Sequence, residues 1–395
     1  LCLGQYEVPK AKVEPGVYRN IMGNQALAIG LVAGARLANL KPVYCSYPIT
    51  PASSVLEYLA GYKEHGVVTV QAEDEIAAVC AAIGASYAGT LGMTGTSGPG
   101  MALKGEAMGL AISTELPLVI VDVQRAGPST GMPTKVEQSD LLSSIMGRNG
   151  DAPMPVIAAS KPSDAFEMAI EACRIAVEYM TPVILLSDNF IANGSEPWPL
   201  PDMDALKPFE AKFTTEGGED FEPFSRNDRL ARPWVKPGTP GMMTRIGGLE
   251  KAPTSNISYD PDNHQAMTDL RHAKVRKVAD SIPTPEVDGA DSGKVLVVGW
   301  GSTVGILRQA VDNVRARGGE VSRLHLTHVW PLPHGLDEIF SRFDRVLVPE
   351  MNVQQMAFLL RAELPDHDYV PYNKVTGQPF LVAEVEERIE EELKR

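Results

Sequence analysis

The sequence predicts an α/β fold in which a doubly wound, parallel-sheet domain is followed by a smaller α/β domain. Short β-branched runs alternate with helix patterns from Gly23 to about Asp188, and the alternation returns from Gly293. Runs such as PLVIVDVQ are apolar almost throughout instead of alternating between apolar and polar residues. Such runs are typical of parallel strands that helices cover on both faces.

The elements of the first domain follow one another in regular order. GNQALAIGLVAGARLANLK predicts an Ala-rich helix, and PVYCSYPIT predicts the strand after it. Further helices are predicted by SVLEYLAGYKE, EIAAVCAAIGASYAG and MALKGEAMGLAIS. Further strands are predicted by VVTVQAE, GMTGTS, PLVIVDVQ, PVIAAS and PVILLSD.

A long connecting arm follows, because prolines, charges and turn signals interrupt every candidate element from about Asn189 to Ser292. Its later part, HQAMTDLRHAKVRKVADSI, has helical spacing, and we expect a helix with a solvated basic face. In the second domain, strands are predicted by KVLVVGWGS, EVSRLHLTHVWPLP and DRVLVPE. We therefore divide the chain into an N-terminal linker (1–20), a first domain (21–192), an arm (193–291) and a second domain (292–395).

Composition narrows the class of protein. The chain has 395 residues, 44% hydrophobic and 22% charged, which suits two or three globular domains. Its net charge of -14 and its lack of a Lys/Arg run argue against nucleic-acid partners and anionic membranes. No apolar stretch approaches the roughly 18 residues of a spanning helix, and the N-terminus lacks the order of a signal peptide. We expect a cytoplasmic protein.

The cysteines indicate thiols and no metal centre on this chain. The four of them lie far apart, without a C-x-x-C pair or a His at zinc spacing, at Cys2, Cys45, Cys80 and Cys173. We expect them to be reduced and mostly buried.

Polar segments stand where four strands of the first domain end. They are YPIT, QAEDE, TGTSGPG and VQRAGPSTGMPTK. Because the carboxyl ends of parallel strands meet at one edge of a sheet, these segments are expected to converge there.

Three acids, Glu73, Asp74 and Glu75, lie at the start of an Ala-rich helix with almost no charge. Acids at a helix N-terminus stabilise it by roughly 0.3 to 1 kcal/mol, which offers one explanation. Three acids exceed what capping requires, however. A carboxylate in a site closed from water could instead hydrogen-bond a heteroaromatic ring nitrogen and tune its protonation.

The other junctions each leave an alternative open. TGTSGPG could direct backbone N–H groups at an anion or could be a tight turn, and it lacks both the P-loop ending and the dinucleotide fingerprint. Arg125 ends the most apolar strand, and its planar fork suits a carboxylate, although an ion pair on the surface or within the chain is the alternative. Pro48 and Pro51 stiffen the turn that carries Thr50. GWGS, at 299–302, is favoured as a structural turn.

Taken together, these segments resemble the α subunit of 2-oxoacid:ferredoxin oxidoreductases, and most closely the 2-oxoglutarate branch. The matching stretches are GNQALAIG, YPITPAS, EDEIAAVCAAIGASYAG, TGTSGPG and VQRAGPSTGMPTK, with RIGGLEKAPTSNISYDPDNHQAM in the arm. The resemblance implies that the first domain binds the pyrimidine of thiamine diphosphate and that the second is of the transketolase C-terminal type. It implies oxidative decarboxylation of a 2-oxoacid, with coenzyme A and ferredoxin as acceptors.

The resemblance also implies half of an active site. A β subunit would supply the diphosphate and magnesium site and a [4Fe-4S] cluster, and this sequence has neither a G-D-G magnesium pattern nor cluster cysteines. A γ-type domain, which is often fused upstream in relatives, is expected as a separate polypeptide or as a part that has been removed.

Residue roles are implied at the matching positions. Glu75 lies nine residues before Gly84, the spacing of the family's catalytic pyrimidine-contacting glutamate, with Glu73 as the alternative. Thr50 and Arg125 match positions that contact the 2-oxo-carboxylate. Further contacts are expected from substrate-binding Thr96, Ser97 and Lys135, the last toward a distal carboxylate, and from cofactor-binding Tyr47, Pro48, Ile49 and Gly98.

Some features of the resemblance stay open. Asn149 and Lys251 stand where many relatives have His, so a role for those positions is in doubt. Half of a lipoamide-linked 2-oxoacid dehydrogenase is one alternative function, although YPITP and the long arm argue against it. A structural subunit without chemistry is another.

Overall fold

The structure, a computed structural model, describes residue 10 and residues 13–218 and 221–395. Its strands are β1 (Tyr18–Met22), β2 (Pro42–Ser46), β3 (Val68–Gln71), β4 (Leu91–Thr96), β5 (Leu118–Gln124), β6 (Val156–Ala158), β7 (Pro182–Asp188), β8 (Ser195–Pro199), β9 (Gly293–Trp300), β10 (Val321–Leu326), β11 (His328–Trp330), β12 (Phe343–Glu350) and β13 (Tyr369–Asn373). Its α-helices are α1 (Gly23–Leu37), α2 (Ser53–Ala60), α3 (Glu75–Tyr87), α4 (Gly98–Leu103), α5 (Gly105–Thr114), α6 (Leu141–Met146), α7 (Ala165–Tyr179), α8 (Asn189–Asn193), α9 (Pro261–Lys277), α10 (Val304–Ala316), α11 (Leu336–Phe340), α12 (Gln355–Glu363) and α13 (Val382–Lys394).

The larger sheet has the spatial order β11-β6-β7-β5-β4-β2-β3. The strands from β6 to β3 run parallel, and β11 pairs antiparallel with β6. One face packs against α1, α2 and α7, and the other against α3, α5 and α6. Every residue of β5 is buried, because Val121 packs on the first face and Ile120 on the second. The predicted doubly wound fold is confirmed.

The smaller sheet is parallel, with the order β10-β9-β12-β13. Its outer face packs against α10 and α13. On the other face, α11 and α12 pack in a core that is continuous with that of α3, α5 and α6. The two α/β units therefore share one apolar cluster.

The prediction of a single strand over EVSRLHLTHVWPLP was wrong. The chain leaves the small sheet after Leu326, and β11 joins the edge of the large sheet beside β6. The Ala158 amide donates to the carbonyl of Thr327 at 2.7 Å, and a ring nitrogen of buried His328 lies 3.1 Å from a carboxylate oxygen of Glu171. A strand pattern in the sequence does not show that its first part will join one sheet and its second part another.

The prediction of a solvated basic helix in the arm was wrong for two basic residues of α9, Arg271 and Lys274, which are buried, whereas Arg276 is exposed. Lys274 of α9 is buried, and its ammonium donates to buried Glu115 at 2.5 Å. Arg226 donates to the same carboxylate at 2.6 Å. Burial raises the pKa of Glu115, but the charges of Lys274 and Arg226 outweigh it and lower that pKa to about 2. Lys274 turns inward to a carboxylate that lies 159 residues away in sequence, and the spacing of residues in α9 does not show that contact.

The predicted domain boundaries stay predictions. β1, which includes the end of the predicted linker, pairs antiparallel with β8 at the start of the predicted arm. Most of the linker, with Cys2, lies outside the described residues. Of the other cysteines, Cys45 and Cys173 are buried thiols and Cys80 is an exposed one. In the described part of the chain, no helix combines the length and apolar character that a membrane span requires.

Candidate active site

The four polar segments follow β2, β3, β4 and β5, which are neighbouring parallel strands. Their carboxyl ends therefore lie on one edge of the large sheet, as the sequence predicts. The candidate site is built from the loops on this edge.

Glu75 is the first residue of α3, and its two acidic neighbours are arranged differently. Asp74 is extended and caps the helix, since its carboxylate accepts the Ala77 amide at 2.8 Å. Glu73 is exposed, whereas Glu75 is half-buried. Because Asp74 performs the capping, the carboxylate of Glu75 is left for another contact.

Gly100 marks the point where three side chains meet. A Cβ built at Gly100 would lie 2.1 Å from Thr96 Oγ1, 2.2 Å from the Tyr47 hydroxyl and 3.1 Å from Glu75 Cγ. The Tyr47 and Thr96 hydroxyls are hydrogen-bonded at 2.9 Å. Burial is the main cause that raises the pKa of Tyr47, and the charge of Glu75 adds to it. Tyr47 is therefore a neutral hydroxyl at physiological pH. The short distances around position 100 mean that only glycine fits there.

Lys104, which the sequence reasoning missed, lies beneath Glu75. Its side chain is fully buried, and its ammonium donates to the Glu75 carbonyl at 2.7 Å. The same nitrogen lies 4.8 Å from the centroid of the Tyr47 ring. The available signal was a lysine within the apolar pattern of MALKGEAMGLAIS.

Arg125 and Thr50 are joined across two loops. Arg125 follows β5 and is 6% exposed, so it does not form the surface ion pair considered above. Its Nη1 donates to the Thr50 carbonyl at 2.6 Å, and its Nε has no hydrogen-bond partner among the described residues. Thr50 itself is exposed. A buried guanidinium with unused donors is suited to bind an anion.

A pair of buried carboxyl groups, also missed, lies beside the glycine-rich loop. A Cβ at Gly98 would lie 3.1 Å from both carboxylate oxygens of Asp140. Burial raises the pKa of Asp140 to about 6, and the pKa of its neighbour Asp122 is raised well above its usual value by burial and by Asp140. The two carboxyl groups disfavour each other's ionisation, because burial removes both from water and their negative charges would repel. Ser97, on the same loop, has a buried hydroxyl without a hydrogen-bond partner among the described residues.

The remaining predicted residues lie further out. Pro48 is exposed, and Ile49 packs at the border of the core. Lys135 is exposed; its carbonyl accepts the Ala126 amide at 3.1 Å, and its side chain lies beside Gly377 of the second α/β unit.

Two other positions from the sequence have structural contacts. In GWGS, the Trp300 carbonyl accepts the side chain of Gln138 at 2.8 Å, and Ser302 donates to Asp188, so the turn joins the two α/β units. The buried ammonium of Lys251 donates to the carbonyls of Gly247 and Leu249 at 2.8 and 2.7 Å. Asn149 lines a cavity of about 350 Å³ between α5 and the arm.

Three large apolar side chains of α3 and α4 are exposed. Ile76 is 53% exposed and Tyr87 37% exposed on α3, and Leu103 is 54% exposed at the end of α4. Exposed apolar side chains of this size are often covered by a partner surface.

The α/β fold and two family models together place the chain in the thiamine-diphosphate-binding class. Residues 34–258 match the family described as "Pyruvate flavodoxin/ferredoxin oxidoreductase, thiamine diP-bdg", and residues 293–385 match "Pyruvate:ferredoxin oxidoreductase core domain II". The chain belongs to this family of 2-oxoacid:ferredoxin oxidoreductases. The relatives that it matches are α subunits.

Two curated relatives and one solved structure illustrate the similarity. The chain is 51% identical, over 96% of its length and 58% of the relative's, to the 2-oxoglutarate oxidoreductase subunit KorA of Mycobacterium tuberculosis. It is 32% identical, over 86% of its length and 89% of the relative's, to the 2-oxoglutarate synthase subunit KorA of Methanothermobacter marburgensis. The 2-oxoglutarate:ferredoxin oxidoreductase from Magnetococcus marinus, solved with 2-oxoglutarate, coenzyme A and succinyl-CoA bound, superposes with a TM-score of 0.91.

That superposition has 36% identity and covers 96% of this chain and 66% of the other. The chain thus spans less than two thirds of the Mycobacterium tuberculosis and Magnetococcus marinus proteins.

Proposed function

We propose that the chain is the α subunit of a 2-oxoacid:ferredoxin oxidoreductase that converts 2-oxoglutarate and coenzyme A to succinyl-CoA, carbon dioxide and reduced ferredoxin. The observation that carries the proposal is the meeting of Glu75 with Tyr47 and Thr96 over Gly100, on the sheet edge that also holds buried Arg125. Relatives named for 2-oxoglutarate support this substrate over other 2-oxoacids.

The residues at this edge fit a bound pyrimidine ring. Glycine at position 100 lets the Tyr47 and Thr96 hydroxyls come close to the side chain of Glu75, where a Cβ would clash with both hydroxyls. The buried hydroxyl of Ser97 is available for a hydrogen bond. Contacts to the cofactor are proposed for Tyr47, Pro48, Ile49, Glu75 and Gly98.

Each side chain then has a task that its chemistry allows. Glu75 would hold a hydrogen bond to a ring nitrogen of the pyrimidine and exchange a proton with that atom. Bound thiamine diphosphate supplies the electron sink that decarboxylation of a 2-oxoacid requires. Arg125 would bind the substrate carboxylate through its fork, and the Thr50 hydroxyl would donate to the 2-oxo group. Thr96, Ser97 and, for the distal carboxylate, Lys135 are further proposed substrate contacts.

A partner subunit completes this proposal. We propose that a β subunit packs on the face that carries the exposed apolar side chains of α3 and α4, which are Ile76, Tyr87 and Leu103. That subunit would carry the diphosphate and magnesium site and the [4Fe-4S] cluster, and ferredoxin and a γ-type domain or subunit complete the proposed partners. The cytoplasmic location stays a prediction from the sequence.

The first prediction tests the reaction in the complex assembled with its β partner. Adding 2-oxoglutarate and coenzyme A should reduce ferredoxin or a viologen dye, which absorbance follows directly. We expect Glu75→Gln to lower the turnover about 100-fold or more, as for loss of a hydrogen bond that is made in a transition state.

Glu73→Gln is the matched control, because Glu73 is exposed on the same loop, and it should keep turnover within a few-fold of the parent. Strict dependence on lipoamide would support the dehydrogenase alternative and contradict the proposal. Equal, small effects of both substitutions would support a subunit without chemistry.

A further inference from the structure

Lys104 is held in place by the two helices between which it lies. Its amide donates to the Gly100 carbonyl of α4 at 3.0 Å, and its carbonyl accepts the Met108 amide of α5 at 2.9 Å. The side chain extends into the interior and is 0% exposed. Its position is therefore fixed relative to the loop that the site uses.

The buried ammonium contacts two segments of the site at once. It donates to the carbonyl of Glu75 at 2.7 Å, at the first residue of α3. It also lies 4.8 Å from the centroid of the Tyr47 ring, where a cation is attracted to the aromatic face. Lys104 thus joins the start of α3 to the loop that follows β2.

Gly100 and Lys104 are four residues apart, so they lie on the same side of the turn that α4 makes. The absent Cβ of Gly100 admits the side chain of Glu75, whose Cγ would lie only 3.1 Å from it. Lys104 binds the backbone of the same glutamate. The first contact limits where the side chain of Glu75 can lie, and the second holds its carbonyl.

A buried ammonium is a costly way to hold a carbonyl. Removing such a charge from water costs several kcal/mol unless other groups compensate for it. Burial lowers the pKa of Lys104 to about 8, and the charges of Glu75 and Asp74 offset only part of that effect. A side chain needed for packing alone could be methionine, which has a similar length and no charge.

We infer that Lys104 is a positioning residue for Glu75. The ammonium of Lys104 holds the Glu75 carbonyl, which keeps that glutamate over Gly100, and it places a positive charge beside the glutamate. The inference rests on the proposed role of Glu75 toward the pyrimidine of thiamine diphosphate. It adds to that role a residue that never touches the cofactor.

The affinity for thiamine diphosphate in the assembled complex, measured by titration calorimetry, tests the inference without relying on turnover. Lys104→Met should weaken binding about 10-fold or more, the effect typical of losing a hydrogen bond from a charged group. Lys41→Met, at an exposed lysine of the same domain, is the matched control and should leave the affinity unchanged.

A double-mutant cycle separates positioning from general structural damage. If Lys104 acts through Glu75, then Lys104→Met should weaken binding little further once Glu75→Gln is present, because contacting residues couple. Fully additive losses from the two substitutions would contradict the inference.

The pH profile gives a second measurement. The groups that face Lys104 are Asp74, Glu75 and Cys80 on α3 and Tyr47 on the loop after β2. Since the ammonium loses its proton near its pKa of about 8, the affinity of the parent complex should fall above that pH. Lys104→Arg should move this fall to a higher pH, because a guanidinium stays charged beyond about pH 12.

The outcomes are distinguishable. If Lys104→Met keeps the parent affinity while Glu75→Gln loses it, the inference is overturned and the proposed function stands. If Glu75→Gln keeps both the affinity and the turnover of the parent, the proposed function fails. If Lys104→Met does not assemble, the pH profiles decide, and an unshifted profile in Lys104→Arg would overturn the inference.

Discussion

Gly100 lies where the side chains of Tyr47, Thr96 and Glu75 come together, and the spacing there is set by the absence of one carbon atom. A Cβ would lie within 2.2 Å of both hydroxyl oxygens, and neither can move without breaking their mutual hydrogen bond of 2.9 Å. Gly100 lies in α4 and has ordinary helical geometry, so the backbone there does not require glycine. Glycine is needed because the two hydroxyls approach its Cα closely. The site depends on this approach more than on the flexibility of the loop.

The second prediction is that Gly100→Ala weakens thiamine diphosphate binding and destabilises the chain. The added methyl group must displace Tyr47 or Thr96, and overpacking of this kind costs about 1 to 3 kcal/mol of unfolding free energy. Urea unfolding of the chain and calorimetry on the assembled complex measure the two effects.

Gly84→Ala is the control, because nothing lies within 4 Å of a Cβ at that helical glycine. It should stabilise the chain by about 0.5 to 1 kcal/mol, since alanine favours the helix. If Gly100→Ala behaved like Gly84→Ala, the hydroxyls would not be as closely packed as described.

At the scale of elements, the arm is attached to the first domain by charge. Glu115 caps the end of α5. Its carboxylate accepts hydrogen bonds from Lys274 of α9 and from Arg226 of the irregular part of the arm. All three groups are largely removed from water, so the loss of one leaves the others buried without a partner. Such a cluster fixes where α9 lies, which hydrophobic packing along a polar helix could not do.

The third prediction concerns this cluster. Glu115→Gln should lower the unfolding free energy by about 3 to 5 kcal/mol at pH 7, because two buried cations lose their carboxylate. Asp312→Asn removes an exposed carboxylate 3.6 Å from Arg315 and should change it by at most about 1 kcal/mol.

The parent should also show a pH dependence that Glu115→Gln lacks. The pKa of Glu115 is lowered by folding, so its contribution is present above its usual value near 4.5 and is lost as pH falls toward about 2. Denaturant unfolding across that interval measures this. An identical slope in the variant and the parent would mean that Glu115 is not ionised in the folded chain.

Periodicity and turn chemistry predicted the elements that carry the site, and contacts distant in sequence explain what they missed. The start of α3 could be located because Asp74 and Glu75 precede an Ala-rich run, and the burial of β5 because its seven residues include five aliphatic ones. Lys104 was missed because its burial depends on Tyr47 and on Glu75, 29 residues earlier. Arg271 and Lys274 of α9 were misassigned to a solvated face because the sequence does not show that Glu250 and Glu115 lie against them.

At the scale of the whole molecule, the two α/β units are joined by more than the connecting arm. β11 leaves the small sheet to pair with β6, and Val329 in it is fully buried in the core that both units share. Gln138 donates to the Trp300 carbonyl, and Ser302 donates to Asp188, so polar contacts reinforce the junction. The candidate site lies on loops that end next to this junction, since Gln138 follows the loop that begins at Arg125.

The fourth prediction follows from that shared core. If β11 couples the units, the amides of β5 in the large sheet and of β9 in the small sheet should exchange hydrogen with the same free energy of opening. Val329→Ala should lower both values equally, by about 1 to 3 kcal/mol, because it leaves a cavity in the common cluster. Hydrogen exchange followed by mass spectrometry resolves the two strands. Val353→Ala, at a valine that is 69% exposed, is the control and is expected to change neither value.

If β9 opened at a lower free energy than β5, and Val329→Ala affected only one of the two strands, the small sheet would unfold alone. In that case β11 would pair with the large sheet without coupling the two units, and the loops of the site would not depend on the second unit for their rigidity.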